Sequence, residues 1–411
     1  MPSFKIKKDQ TSLVKKNKMG KIKNSNKIAL KQAEISFDVP EEPKKITHQS
    51  IINGVSKLEW KFGKYALQSW GHSLHRIAPY VGRIKPPFAH FLIKYVSNPG
   101  DIILDPFCGI GTIPLEASLM GRHSIGIDLN PYAIKIAESK TEHNLDLTEL
   151  ISHIEKIKPD TSKIKIDNIP DWVKEYYNQE TLKEIFYYLN HFDKKKMKFI
   201  AGCLVGISQG HRPGHLSKPC AWTLPYKPRP DDKGEYREVK YRLIEKIKRN
   251  YNDIPANTGS IKIIKGDSRK MPLEDSSVNH VISSPPYYNT LDYISSHRLR
   301  LAICGVHDED LKKDLKKQTI QSYTNYIEEM DKVISEVKRV LKPGGYCIFV
   351  VGDHFKGKEI INTAEELSKL FVTQGFKYYG AVEDPIPVNK SVQKTTSNVK
   401  YERIMILKKV K

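Results

Sequence analysis

The stretch VISSPPYY (Val281 to Tyr288) ends an apolar run in two consecutive prolines. Each proline lacks an amide donor and fixes its own φ, so neither continues a helix or a central strand. A stiff corner that carries a hydroxyl, a carbonyl and an aromatic ring suits chemistry on a planar amine. The exocyclic NH2 of a nucleobase is a poor nucleophile, because its lone pair is delocalised into the ring. Acceptors that grip its hydrogens favour a more tetrahedral nitrogen, and the Ser284 hydroxyl and Pro285 carbonyl are the candidates. Pro285 and Pro286 supply the rigidity such electrostatic help requires. Tyr287 is expected to stack on the base, which must be flipped out of a duplex. The candidate catalytic set is therefore Ser284, Pro285, Pro286 and Tyr287.

A methyl or other group must come from a donor, and DPFCGIGT (Asp105 to Thr112) is the candidate donor loop. Gly109 and Gly111 permit positive φ and close backbone approach, and the helix that follows adds a positive dipole. The third glycine of a dinucleotide fingerprint would fall at position 114, which is Pro114. Asp105 would repel a pyrophosphate but suits an ammonium group. Asp128 ends the next strand, where it can accept ribose hydroxyls. A ligand with a ribose and a positive charge but no phosphate is S-adenosylmethionine, the expected cofactor. Phe107 and Thr112 of the loop join the cofactor set. Asp267 and Ser268, in the turn GDSRKMP, would meet the adenine. Cys203, His211, His215 and Cys220 lack a CxxC knuckle, so no metal is expected.

These motifs need a scaffold that brings strand ends together. Apolar strands are expected at IILD, at Ser124 to Asn130, at Ile261 to Asp267 and at Asn279 to Tyr287. Others follow at Gly344 to Asp353, FKYYGAVED and YERIMILKK. Helices are expected near 88–96 and 112–120, from Pro131, and near 322–341 and 359–374. Such alternation predicts an α/β fold, a doubly wound, mostly parallel, seven-stranded Rossmann-like sheet with a mainly helical and loop insert. The expected division is a basic disordered tail (1–45), a cofactor-loop part (46–140), an insert (141–258) and a catalytic-loop part (259–411). Loops on a rigid scaffold carry specificity. Within the insert His211, Arg212, Trp222, Tyr226 and Arg229 are candidate substrate contacts.

Lys and Arg number 68 against 47 Asp and Glu, a net charge of +21. That surplus favours a polyanionic partner, although a lysine-rich genome would produce it too. Five scattered cysteines and no signal peptide point to a cytoplasmic protein, and apolar runs of strand length exclude a membrane span.

HRIAPYVGRIKPPFAHFLI, DPFCGIGT, GIDLNPYA, GDSRKMP, SSPPYYNTLDY and YERIMILKK together resemble the amino-group DNA methyltransferases of prokaryotic modification systems, with the cofactor motif before the catalytic motif. The resemblance spans roughly residues 70–140 and 260–410. It implies methyl transfer from S-adenosylmethionine to the exocyclic amine of a flipped base, with Tyr80 and RIKPP beside the methionine end. A leading Ser in SPPY resembles the cytosine-N4 enzymes; adenine N6 and an RNA base amine are the alternatives. Cytosine-C5 chemistry would need a thiolate at this corner, and Pro219-Cys220 lies in the insert instead. The family context also implies a companion restriction endonuclease as partner.

Overall fold

The computed structural model describes residues 43–142, 145–228, 234–251, 258–287, 292–320, 325–356, 359–386 and 401–410. All but the last three residues of the expected tail lie outside that set, as does Arg229. In chain order the elements are α1 (His48–Val55), α2 (Pro86–Val96), β1 (Ile102–Asp105), α3 (Thr112–Leu119), β2 (His123–Asp128) and α4 (Pro131–Glu138). A helical stretch follows: α5 (Leu147–Lys156), α6 (Asp171–Lys174), α7 (Gln179–Lys194), α8 (Lys198–Ile207) and α9 (Val239–Asn250). The sheet resumes with β3 (Ile261–Lys265) and β4 (His280–Ser283), then α10 (Tyr293–Ser296), α11 (Arg298–Ile303), α12 (Glu309–Gln318), α13 (Tyr326–Val340) and β5 (Tyr346–Gly352). The last elements are β6 (His354–Lys356), β7 (Glu359–Ile361), α14 (Thr363–Thr373), β8 (Phe376–Pro385) and β9 (Tyr401–Lys409).

Helix starts follow local chemistry. Pro86 and Pro131 occupy first-turn positions where no amide is missed. The Asn130 side chain accepts from the amides of Tyr132 and Ala133 and so caps α4.

Among the described residues the main sheet has seven strands in the order β3-β2-β1-β4-β5-β9-β8. The first five are parallel, and β9 runs antiparallel between β5 and β8. The chain winds outward from β1 to β3 and then returns to place β4 on the other side of β1. Loops after β1 and β4 therefore diverge from adjacent strand ends, where such sheets open a crevice.

Both faces of the sheet are covered. Phe349, Val351, Met405 and Leu407 pack into one core with Val333, Val337 and Leu367 of α13 and α14. Their neighbours Ile348, Val350, Ile404 and Ile406 pack into another with Val55, Phe91 and Val96 of α1 and α2. Two-residue alternation between two buried faces explains why β5, and Ile404 to Leu407 of β9, read as unbroken apolar runs.

The 141–258 stretch is helical at first and then loop-rich, as its composition suggests. Leu189 and Phe192 of α7, Leu204 of α8 and Leu243 of α9 share one continuous core with Ile136 of α4 and Leu299 and Leu301 of α11. No helix among the described residues is long and apolar enough to cross a membrane.

Several boundaries differ from expectation, β3 among them, which stops at Lys265 short of Asp267. Strand β2 stops at Asp128, because Asn130 is committed to capping. Strand β4 stops at Ser283, so Ser284 to Tyr287 leave the sheet as coil. Residues 359–361 form the second strand of the β6–β7 hairpin, and the helix begins only after the Asn362 cap.

Candidate functional site

The loop between β1 and α3 is shaped by its glycines. Gly109 and Gly111 have φ of 50° and 72°, in the left-handed region that glycine adopts freely. Their surroundings differ. A Cβ on Gly109 would lie 3.4 Å from the Tyr80 ring, over the cleft, whereas one on Gly111 would lie 3.0 Å from Ala137 Cβ in α4. Gly111 thus serves helix packing and does not line the cleft. The loop is fastened to β2: Cys108 N donates to the Ile127 carbonyl (3.0 Å), and Gly109 N to Asp128 Oδ2 (2.8 Å). Asn130 N donates to Asp128 Oδ1 at 2.8 Å.

A cleft of about 900 Å³, counting the space open at its mouth, lies over these strand ends. Asp105, Phe107, Gly109, Thr112, Asp128, Asp267 and Ser268 line it. Tyr80, Arg83 and Ile84, from the segment before α2, form part of its wall. Ser284 and Pro286 line the same cleft. The donor loop and the proline corner are joined directly, because Ser283 Oγ donates to Asp105 Oδ1 at 2.6 Å. Phe107 N donates to that oxygen as well, at 3.1 Å.

The three acids are not equivalent. Burial pushes the Asp105 carboxyl up to about 7, against the pull of the Ser283 and Phe107 bonds. Burial likewise raises Asp128 to about 6, against the pull of the Asn130, Gly109 and Leu129 backbone amides. Asp267 goes the other way. Burial works against its charge, but Arg269 holds it below the usual carboxylate range. Arg269 Nη2 donates to Asp267 Oδ2 at 2.6 Å and Nε to both oxygens, at 2.9 and 3.0 Å. The cleft therefore presents two acids whose negative charge is costly without a cation, and one already neutralised.

The proline corner is pinned from two sides. Tyr326 OH donates to the Pro286 carbonyl at 3.1 Å. Tyr287 OH donates to Glu402 Oε1 at 2.9 Å, and burial raises the Glu402 carboxyl. Tyr287 lies beside the cleft rather than in its lining, its ring held by a strand on the far side of β5. Tyr287→Phe removes the donor from a desolvated carboxylate, so it is expected to cost about 1–3 kcal/mol. Urea unfolding would show this as a lower midpoint at unchanged slope.

Tyr80 extends the wall by stacking on His297 (centroids 4.6 Å apart, planes at 12°) and, more loosely, on Tyr293 (6.1 Å, 21°). Val81 N donates to His297 Nε2 at 3.1 Å, and burial lowers that imidazole to about 3, so it stays neutral. Tyr293, Ile294, Thr319 and Ile320 line the cleft as well.

The candidate substrate contacts stand apart from this cleft. His211 and Arg212 are exposed, and Trp222 and Tyr226 project into solvent. Sequence reasoning assigned no role to Ser283, His297 or Glu402. With Arg403 beside it and two lysines at the end of YERIMILKK, Glu402 reads as one of several charges on a strand, and the sequence carried no signal for its Tyr287 contact.

The sequence model of the DNA methylase family matches residues 6–139 and 278–409. The chain belongs to that family. The two matched blocks carry the donor loop and the proline corner, and the helical stretch between them is unmatched. The Type II methyltransferase M.MjaII of Methanocaldococcus jannaschii is 32% identical over 144 residues, which are 34% of this chain and 25% of that protein. The Type II methyltransferase M.BsoBI of Geobacillus stearothermophilus is 29% identical over 276 residues, 56% of this chain and 53% of that protein. The chain thus spans about half or less of the length of these relatives. A solved SAM-dependent methyltransferase from Methanosarcina mazei aligns over 78% of this chain and 97% of its own, at 13% identity and a TM-score of 0.36. At that score it adds nothing to what the strand order already gives.

Proposed function

We propose that this DNA methylase transfers a methyl group from S-adenosylmethionine to the exocyclic amine of a flipped base, with cytosine N4 as the target. One observation carries the reading: Asp105 and Asp128 share a single cleft with Ser284 and Pro286, bridged by the Ser283–Asp105 bond.

The residues fit the donor. Two acids with raised carboxyls favour a cation; the lining holds no lysine, and Arg83 in its wall donates from Nη1 to the His75 carbonyl at 2.6 Å. Asp105 would meet the ammonium group, Asp128 the ribose and Asp267 the adenine amine, with Phe107, Gly109, Thr112 and Ser268 around them. When bound, S-adenosylmethionine supplies an electrophilic methyl group. The protein's part is to prepare the nucleophile. Ser284 Oγ and the Pro285 carbonyl would accept the two amine hydrogens, freeing the nitrogen lone pair from the ring. Tyr287, with its hydroxyl anchored, would present a fixed ring for the base to lie against.

The choice of cytosine over adenine rests on the leading Ser of SPPY. The unmatched stretch 141–258, with its exposed His211, Arg212, Trp222 and Tyr226, is the proposed reader of the target sequence. A restriction endonuclease acting on the same site is the proposed companion. Nucleoside mass spectrometry of DNA and total RNA from cells expressing the protein is expected to show N4-methylcytosine in DNA. N6-methyladenine in its place would overturn the base assignment, and a methylated base found only in RNA would overturn the substrate.

A further inference from the structure

Ala221 to Lys227 form an irregular segment, bent over Trp222 to Leu224, whose large apolar side chains are exposed at alternate positions. Trp222, Leu224 and Tyr226 are 58%, 59% and 56% exposed. Single exposed apolar residues are ordinary; three in alternation on one short segment are not. Its backbone, by contrast, is firmly held. Gln209 Nε2 donates to the Ala221 carbonyl (2.6 Å), the fully buried Arg300 to the Trp222 carbonyl, and Arg298 Nη2 to the Pro225 carbonyl (2.9 Å). Leu224 has φ of 47°, a conformation that side chains other than glycine seldom adopt.

Position gives the segment its meaning. Leu224 N donates to the Ser296 carbonyl at 2.7 Å. Ser296 ends the helix that brings Tyr293 and Ile294 into the cleft, and the next residue, His297, stacks on Tyr80. The apolar comb is therefore tied to the wall of the pocket proposed to receive a base. Lys227, exposed and 3.6 Å from Glu175, ends the segment, and Arg212 is exposed in the same loop-rich stretch, on a chain of net charge +21, which fits a polyanionic occupant.

Resting on the DNA reading above, we propose that this comb docks on duplex DNA and that Leu224 enters the base stack, filling the space left when the target base turns into the cleft. Apolar side chains wedged between base steps are a general means of holding a distorted duplex, and extrusion carries an unstacking cost that such a side chain offsets.

The test uses Leu224→Gly, in which glycine accepts the positive φ and the fold is kept, and Leu224→Met, which restores apolar bulk. The methylated site is first mapped in DNA from expressing cells. Two duplex oligonucleotides are then made, one fully paired and one with an abasic position opposite the target base. Transfer of tritiated methyl is measured on both. The ratio of premelted to paired rates is expected to rise by about tenfold or more in Leu224→Gly and to return near the wild-type ratio in Leu224→Met. An unchanged ratio in Leu224→Gly overturns the proposal. So does light scattering that shows the wild type as a dimer and Leu224→Gly as a monomer, since the comb would then cover a second copy of the chain. If no methylated site is found in that DNA, the DNA reading itself falls and this proposal with it.

Discussion

Replacing Ser284 with alanine is expected to lower methyl transfer to DNA by about 10²–10³-fold, the usual cost of removing one preorganised polar group that serves the transition state, while cofactor affinity stays within about twofold. Ser284 lines the cleft but makes no bond to the donor loop; that contact belongs to Ser283. The two adjacent serines thus have separable effects. Ser283→Ala strips Asp105 of a hydrogen bond and should weaken cofactor binding, whereas Ser284→Ala should act on kcat. Ser284→Asp, which keeps an acceptor, should recover part of the rate. Single-turnover transfer and calorimetric cofactor binding separate the two. Full activity in Ser284→Ala would show that the amine is gripped elsewhere.

Much of this arrangement is legible in the chain, and the reasons are local. IILD before a glycine loop, Asn130-Pro131 after the second strand and Pro285-Pro286 after the fourth each carry their own start or stop signal. The unbroken apolar runs of β5 and of Ile404 to Leu407 in β9 announce strands buried on both faces. What escapes sequence reasoning is pairing between distant strands. Ser283 meets Asp105 across 178 positions, and Tyr287 meets Glu402 across 115, so neither spacing encodes the contact. The pairing of residues 354–356 with 359–361 was hidden because its second strand runs straight into the Asn362 cap, where strand and helix signals overlap. Asp267 is a different case. Arg269 stands two residues on, and the neutralising pair was there to be read.

The second large effect concerns pH. Asp105 is 3% exposed and its carboxyl sits near 7 in the folded protein, against an ordinary value of 3.8. Because the folded value lies above the unfolded one, its protonated form favours folding. That contribution is complete below about pH 4 and is lost as pH rises through about 7. Asp128 behaves alike up to about 6, and its charge raises the cost of charging Asp105 further. At neutral pH the ligand-free cleft therefore holds costly negative charge, and a cationic ligand offsets it. S-adenosylmethionine affinity is expected to fall by up to about tenfold per pH unit below pH 7, one proton being taken up as the ligand leaves. Asp105→Asn should flatten that profile and weaken binding above pH 7 by about a hundredfold or more, since two unit charges about 4 Å apart are worth roughly 4 kcal/mol at an effective dielectric constant near 20. The same variant should melt at a higher temperature than the wild type when ligand-free and gain less from the cofactor. These opposite signs separate lost binding from damage to the fold. Calorimetry across about pH 5 to 9, paired with thermal unfolding, measures both. Equal affinity and an equal slope in Asp105→Asn would mean that the cation is held by another group.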